Sequence, residues 1–164
     1  MITPDIIDKN IFNSILSLLE NAEERNNEEL KYMNEIHNKV VDTNNTIICI
    51  KDNKSTHYSN KNTVLYNQLQ ELFGNSDLVL DCFYKFRYNV GDYAKAHKDS
   101  YSDQTSLILL SDNFTGGDFT LEKKLVNFNK KGMFINFDST KRHSVSEVLT
   151  GYREVLVMLF QNKK

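Results

Sequence analysis

LVLDCFYKFRYNVGDYAKAHKD, residues 78–99, is the stretch on which the fold turns. It opens on an apolar run from Leu78 to Tyr88, with aromatic residues at 83, 84, 86 and 88. Such composition favours a pleated, buried strand. Asn89-Val90-Gly91-Asp92 follows, the residue chemistry of a turn. The stretch then closes on His97-Lys98-Asp99.

Toward the C-terminus the same alternation recurs. Strand-like runs stand at Thr105–Leu110, Phe119–Leu121, Met133–Phe137, His143–Val148 and Glu154–Phe160. Turn signals separate them: Asp112-Asn113 with Gly116-Gly117, Lys131-Gly132, and Thr150-Gly151. Several short strands punctuated in this way predict a β-sandwich or jelly roll.

Toward the N-terminus the pattern becomes helical. Pro4 followed by Asp5 reads as a helix start. Ile7, Ile11, Ile15, Leu18 and Leu19 recur at the three- and four-residue steps of a core-facing stripe. Asn21 to Glu29 is polar and acidic, and Leu30, Met33, Ile36 and Val40 renew the stripe. Thr46 to Lys51 reads as a short strand and Asp52 to Asn60 as a loop. Val64, Leu65, Leu69 and Leu72 predict a second amphipathic helix, closed by Gly74 as its C-terminal cap. The expectation is one α+β domain over 1–164, with a helical part at about 1–75 and a strand-rich core at about 78–160. The helices would cover one sheet.

Composition narrows the function. The 164 residues carry 20 Lys and Arg against 22 Asp and Glu, a net charge of −2. A general nucleic-acid binder would show a basic excess. No apolar stretch approaches the roughly 20 residues of a membrane span. The two acids near the start and the lack of a basic leader argue against a targeting peptide. Cys49 and Cys82 each lie in an apolar run and read as small buried hydrophobes in a reducing compartment. The expected location is the cytoplasm.

His97 and Asp99 stand two apart, and in extended backbone such residues point to one side. His143 follows 46 residues after His97. Two imidazoles and a carboxylate can occupy one face of an octahedral ion and leave the other face open. That suits Fe(II), to which both a chelating co-substrate and O₂ must bind. A structural zinc site would need a closed shell. A His-x-Asp pair alone is common on protein surfaces, so its weight comes from its company. Arg153 begins the last strand-like run, ten residues after His143. Its guanidinium either ends the strand in solvent or turns inward to meet a carboxylate. Tyr152 would then face the other way.

Four segments in order resemble the prolyl-4-hydroxylase-like 2-oxoglutarate/Fe(II) dioxygenases. Tyr88-Asn89-Val90-Gly91 and His97-Lys98-Asp99 resemble the family's Tyr-x-x-Gly and His-x-Asp. Ser106 to Asp112 with Gly116-Gly117-Asp118 looks like its apolar strand and Gly-Gly-acid turn. Gly132 to Asp138, then His143-Ser144-Val145, resembles the approach to the second metal histidine. Val148 with Gly151-Tyr152-Arg153 resembles the closing segment. The resemblance spans Leu78 to Phe160, half the chain. It implies a double-stranded β-helix (jelly roll) with supporting helices. It also implies Fe(II), 2-oxoglutarate as co-substrate, O₂, and ascorbate as an auxiliary reductant. His97, Asp99 and His143 would hold the iron. Arg153 would bind the distal carboxylate, and Tyr88 would line that pocket or act as an ordinary inward aromatic. The implied reaction is hydroxylation of a C–H bond in a prolyl or other residue of a protein or peptide, with a small-molecule substrate as the other option.

The sequence departs from the family in places. Leu109 stands where many members have a tyrosine that helps hold the distal carboxylate, with Thr105 and Thr120 as candidate replacements. Ala96 replaces a common proline. His37 and His57 match nothing and read as surface or structural residues. Asp118 and Asp138 read as turn acids, and Lys141 and Arg142 as a solvated pair or as rim residues facing an acidic substrate. A nucleic-acid demethylase of the same superfamily would carry a further arginine after Arg153, and Glu154 to Lys164 holds none. A non-catalytic jelly-roll binding module and a metal-dependent hydrolase are the remaining alternatives.

Overall fold

The computed structural model describes residues 3–26, 28, 48–49, 54–99 and 101–163. The chain order is β1 (Asp5–Ile6), α1 (Lys9–Glu20), β2 (Ile48–Cys49), β3 (Lys54–His57), α2 (Thr63–Phe73), β4 (Leu78–Tyr88), β5 (Tyr93–His97), β6 (Gln104–Leu109), β7 (Thr115–Gly116), β8 (Phe119–Leu121), β9 (Lys124–Val126), β10 (Met133–Asp138), β11 (His143–Val145), β12 (Val148–Thr150) and β13 (Arg153–Asn162). A six-stranded sheet runs β1-β10-β6-β13-β4-β3, and a five-stranded sheet runs β2-β5-β11-β8-β9. Paired β7 and β12 form a small third unit. The two large sheets enclose a common core, making the expected double-stranded β-helix.

The larger sheet is apolar on both faces, which explains why its strands read as unbroken hydrophobic runs. On β13, Val155, Val157 and Leu159 join the core between the sheets, together with Phe86, Leu107, Phe119 and Phe137. The intervening Leu156, Met158 and Phe160 join a second core with Leu80, Phe83 and Ile108, and the helices cover it with Ile15, Leu19, Leu65 and Leu69. The period-two alternation of a strand thus feeds two cores at once.

Several expected boundaries move. Pro4-Asp5 does not start a helix. Asp5 and Ile6 pair with Phe134 and Met133 as an edge strand. The true cap is Asp8, whose carboxylate accepts from the Asn10 and Ile11 amides at 3.0 and 3.2 Å. The buried face of α1 is Phe12, Ile15 and Leu19. On α2 it is Leu65, Leu69 and Phe73, while Val64 is 68% and Leu72 38% exposed. Gly74 does end α2, in extended rather than left-handed backbone. Its role is close approach: a Cβ there would lie 2.4 Å from Gln70 Nε2.

The expected loop at 52–60 contains β3, antiparallel to β4. The run His143–Val148 divides into β11 and the start of β12. Of the strand expected at 46–51, Ile48 and Cys49 are described and pair with β5. The stripe from Leu30 to Val40, and His37 within it, lie outside the described residues. Cys82 is buried, and that burial pushes its thiol up to about 12. Among the described residues no helix is long and apolar enough to cross a membrane.

Candidate metal centre

β5 and β11 lie antiparallel with His97 directly opposite His143. Both rings turn into the space between the sheets, their centroids 4.3 Å apart. Phe137 packs edge-on against His143 at 4.9 Å. Each imidazole is oriented by its own strand. His97 Nδ1 lies 2.6 Å from the Lys95 carbonyl, and His143 Nδ1 lies 3.1 Å from the Lys141 carbonyl. A carbonyl only accepts, so each Nδ1 carries the proton and each Nε2 lone pair is left for an ion.

Asp99 sits two residues past His97 on the same side, as expected. Its Oδ1 is 3.8 Å from His97 Nε2, and its Oδ2 is 3.3 Å from His143 Nε2. The ligand atoms of the three residues all lie within 4.8 Å of one another, a grouping that could hold a metal ion. Burial pushes the Asp99 carboxyl up, but His143, His97 and the Thr105 hydroxyl outweigh it and hold the group below its ordinary value. For His143 burial works downward, yet Asp99 prevails and raises it. His97 goes the other way, lowered by burial and then by His143. The two imidazoles are thus shifted in opposite directions, His97 by burial and its neighbouring ring and His143 by the Asp99 carboxylate.

Arg153 stands opposite Tyr88 in the β13–β4 register. It is 1% exposed, and among the described residues its Nε and Nη2 have no hydrogen-bond partner. Its guanidinium carbon is 5.3 Å from the Tyr88 ring centre and 5.9 Å from that of Phe128. Burial lowers the Arg153 pKa, with Tyr88 opposing. The Gly116-Gly117 turn backs this side chain. A Cβ on Gly117 would lie 3.1 Å from Arg153 Cδ, and the glycine has φ +61°. Tyr152 points away and is covered by Arg87, 3.7 Å above its ring.

A narrow cavity of about 50 Å³ is lined by His97, Asp99 and His143 together with Arg153 and Tyr88. Thr105 lines it, but its hydroxyl is committed to Asp99 Oδ2 at 2.7 Å. Thr120 is not part of the lining, and Leu109 is buried opposite Val155.

The remaining candidates lie off the centre. His57 hydrogen-bonds Ser55 Oγ at 2.8 Å and packs on Tyr84 at 4.7 Å; burial, with Arg25, lowers it to about 4. Asp138 accepts from Thr140, and Asp118 is tied through its backbone to Ser146. Lys141 and Arg142 are half-buried where β11 begins. Residues that the sequence did not single out are Ser102 and Ser139, joined by hydroxyls to Thr105. Small polar residues beside turns give no sequence signal for such a role.

Solved structures of similar fold are known. A truncated collagen prolyl hydroxylase from Paramecium Bursaria Chlorella virus-1 aligns with a TM-score of 0.59 at 14% identity, over 98% of this chain and 90% of that one. A prolyl-4-hydroxylase from Pseudomonas putida aligns at 0.53 and 12% identity, over 100% and 92%. An oxidoreductase of the 2OG-Fe(II) oxygenase family from Burkholderia pseudomallei aligns at 0.54 and 15%, over 85% and 81%. At these identities the likeness is one of fold. No family model and no curated protein matches the sequence.

Proposed function

We propose that this chain is an Fe(II)- and 2-oxoglutarate-dependent dioxygenase that hydroxylates a C–H bond in a prolyl or other residue of a protein or peptide. The observation that carries this reading is Arg153. A buried guanidinium with unpartnered nitrogens costs several kcal/mol unless an anion meets it, and this one faces the pocket that holds His97, Asp99 and His143. A dicarboxylate that chelates a metal through one end and reaches Arg153 with the other answers both features.

The donor set suits the metal. Two imidazole nitrogens and one carboxylate form the facial triad typical of non-haem Fe(II), and both Nε2 atoms are free to ligate. When bound, Fe(II) with 2-oxoglutarate and O₂ supplies the oxidising chemistry, with succinate and CO₂ as co-products. The chain's own share is orientation and dryness. Arg153 fixes the distal carboxylate, Tyr88 flanks it, and Leu107, Phe119, Val145 and Val155 exclude water from the lining. Leu109 offers no hydroxyl, so the charge of Arg153 is the main anchor. A peptide substrate is favoured by the prolyl hydroxylases among the structures of like fold.

Anaerobic addition of Fe(II) and 2-oxoglutarate should give a weak visible charge-transfer band, and His143→Ala should abolish it. Arg153→Ala should weaken 2-oxoglutarate binding at least ~10-fold, the loss of a charged hydrogen bond, while iron stays bound. Wild-type protein that gives neither band nor succinate would sink the reading.

A further inference from the structure

We infer that Ser102, Ser139 and Thr105 form a one-way chain of donated hydroxyl protons that holds the Asp99 carboxylate in its ligating orientation, which makes Thr105 and Ser139 positioning residues for the metal. The inference rests on the reading of His97, Asp99 and His143 as metal ligands.

The distances define the chain. Thr105 Oγ1 is 2.7 Å from Asp99 Oδ2 and 2.9 Å from Ser139 Oγ. Ser139 Oγ is in turn 2.8 Å from Ser102 Oγ, and Ser102 Oγ lies 3.3 Å from the Asp99 carbonyl oxygen. Thr105 and Ser139 are 0% exposed and Ser102 is 6% exposed, so water does not substitute for these partners.

The direction follows from proton counting. Each hydroxyl has one proton to give. The ligating form of Asp99 is the carboxylate, which only accepts. Thr105 must therefore donate to Asp99. Its proton committed, Thr105 can only accept from Ser139, and Ser139 in turn can only accept from Ser102, whose single proton then serves Ser139 at 2.8 Å in preference to the more distant Asp99 carbonyl at 3.3 Å. Three aligned donors polarise one another toward the carboxylate.

The backbone makes the arrangement rigid. The Asp99 amide donates to the Ser139 carbonyl at 2.9 Å, the Ser139 amide to the Asp103 carbonyl at 3.1 Å, and the Ser102 amide to the Asp99 carbonyl at 3.1 Å. These bonds fix where the turns lie but leave the Asp99 side chain free to rotate. Its other close polar neighbours are the Nε2 atoms of His97 and His143, which a bound ion would engage. Thr105 then remains to set the plane of the carboxylate. Partners of this kind, one step behind the ligands, govern metal affinity.

The test titrates the purified full chain with Mn(II), a paramagnetic stand-in for Fe(II), and follows the free-ion signal. Thr105→Val keeps the shape and removes the donor; it should weaken Mn(II) binding roughly 10- to 100-fold, while Thr105→Ser should stay within about threefold of wild type and Ser139→Ala should lose about three- to tenfold. The metal-free melting temperatures show which variants are folded. Equal Mn(II) affinity in folded Thr105→Val, or an equal loss in Thr105→Ser and Thr105→Val, overturns the inference. If Thr105→Val does not fold, unchanged affinity in folded Ser139→Ala overturns it instead. Failure of the underlying metal reading looks different, because wild type and His143→Ala would then fail alike to bind Mn(II).

Discussion

Arg153 is the residue at which stability and the proposed chemistry pull apart. A cation buried to 1% exposure with open nitrogens weakens the ligand-free fold. Replacing unsatisfied buried charge with an apolar side chain of similar length is commonly neutral or stabilising. Arg153→Met should therefore leave the metal- and co-substrate-free protein at least as stable as wild type, with a gain of up to ~1–4 kcal/mol in urea denaturation. A loss above ~1 kcal/mol would mean that Arg153 serves the fold rather than a ligand. At this scale the sequence singled out the polar side chains that the structure gathers in one pocket, and was silent about what supports them. His97, Asp99, His143 and Arg153 carry chemistry in their side chains, and their order along the chain resembles a known pattern. Thr105 was equally visible, but as a replacement anchor for the co-substrate. Its use as a donor to Asp99 depends on β6 and the turn after β10 meeting in space, and no local pattern encodes that meeting.

At the scale of elements, β13 depends on the turn that delivers it. Gly151 has φ +71°, and a Cβ there would fall 1.8 Å from the Asn113 carbonyl oxygen. Gly151→Ala adds left-handed strain to a backbone collision, so it should cost at least ~2 kcal/mol of stability. Because Arg153 begins two residues later, 2-oxoglutarate binding should fall with it. Calorimetric melting and co-substrate titration would check the pair; an unchanged melting temperature would mean that the turn relaxes freely. The elements legible in sequence were those with hydrophobic pattern, β4, β6, β8, β10 and β13. β3 was not, since Lys54-Ser55-Thr56-His57 is polar and becomes a strand only by pairing with the edge of β4. β1 was hidden for the same reason, its two residues being held by β10. The onset of α1 was misplaced because Pro4-Asp5 has the composition of a first turn, while Asp8 makes the capping bonds.

At the scale of the molecule, two cores share the six-stranded sheet. Ile15, fully buried from α1, belongs to the core on the far face of the sheet from His97, Asp99 and His143. Ile15→Ala should destabilise the protein by about 2–4 kcal/mol through lost burial and a residual cavity. The anaerobic Fe(II)–2-oxoglutarate band should persist below the lowered melting temperature. Its disappearance in folded Ile15→Ala would mean that the helix layer shapes the site directly.

The place of β13 between β6 and β4 bears on how this chain is made. A growing polypeptide leaves the ribosome with β4 and β6 already out, yet those strands cannot become neighbours in the final sheet until the decapeptide that separates them emerges. Until then β4 and β6 each lack the partner that lies between them in the finished sheet. His97, Asp99 and His143 are all synthesised before that partner strand, and Arg153 enters with it. The order of synthesis thus delivers the proposed metal ligands first and the proposed carboxylate anchor last.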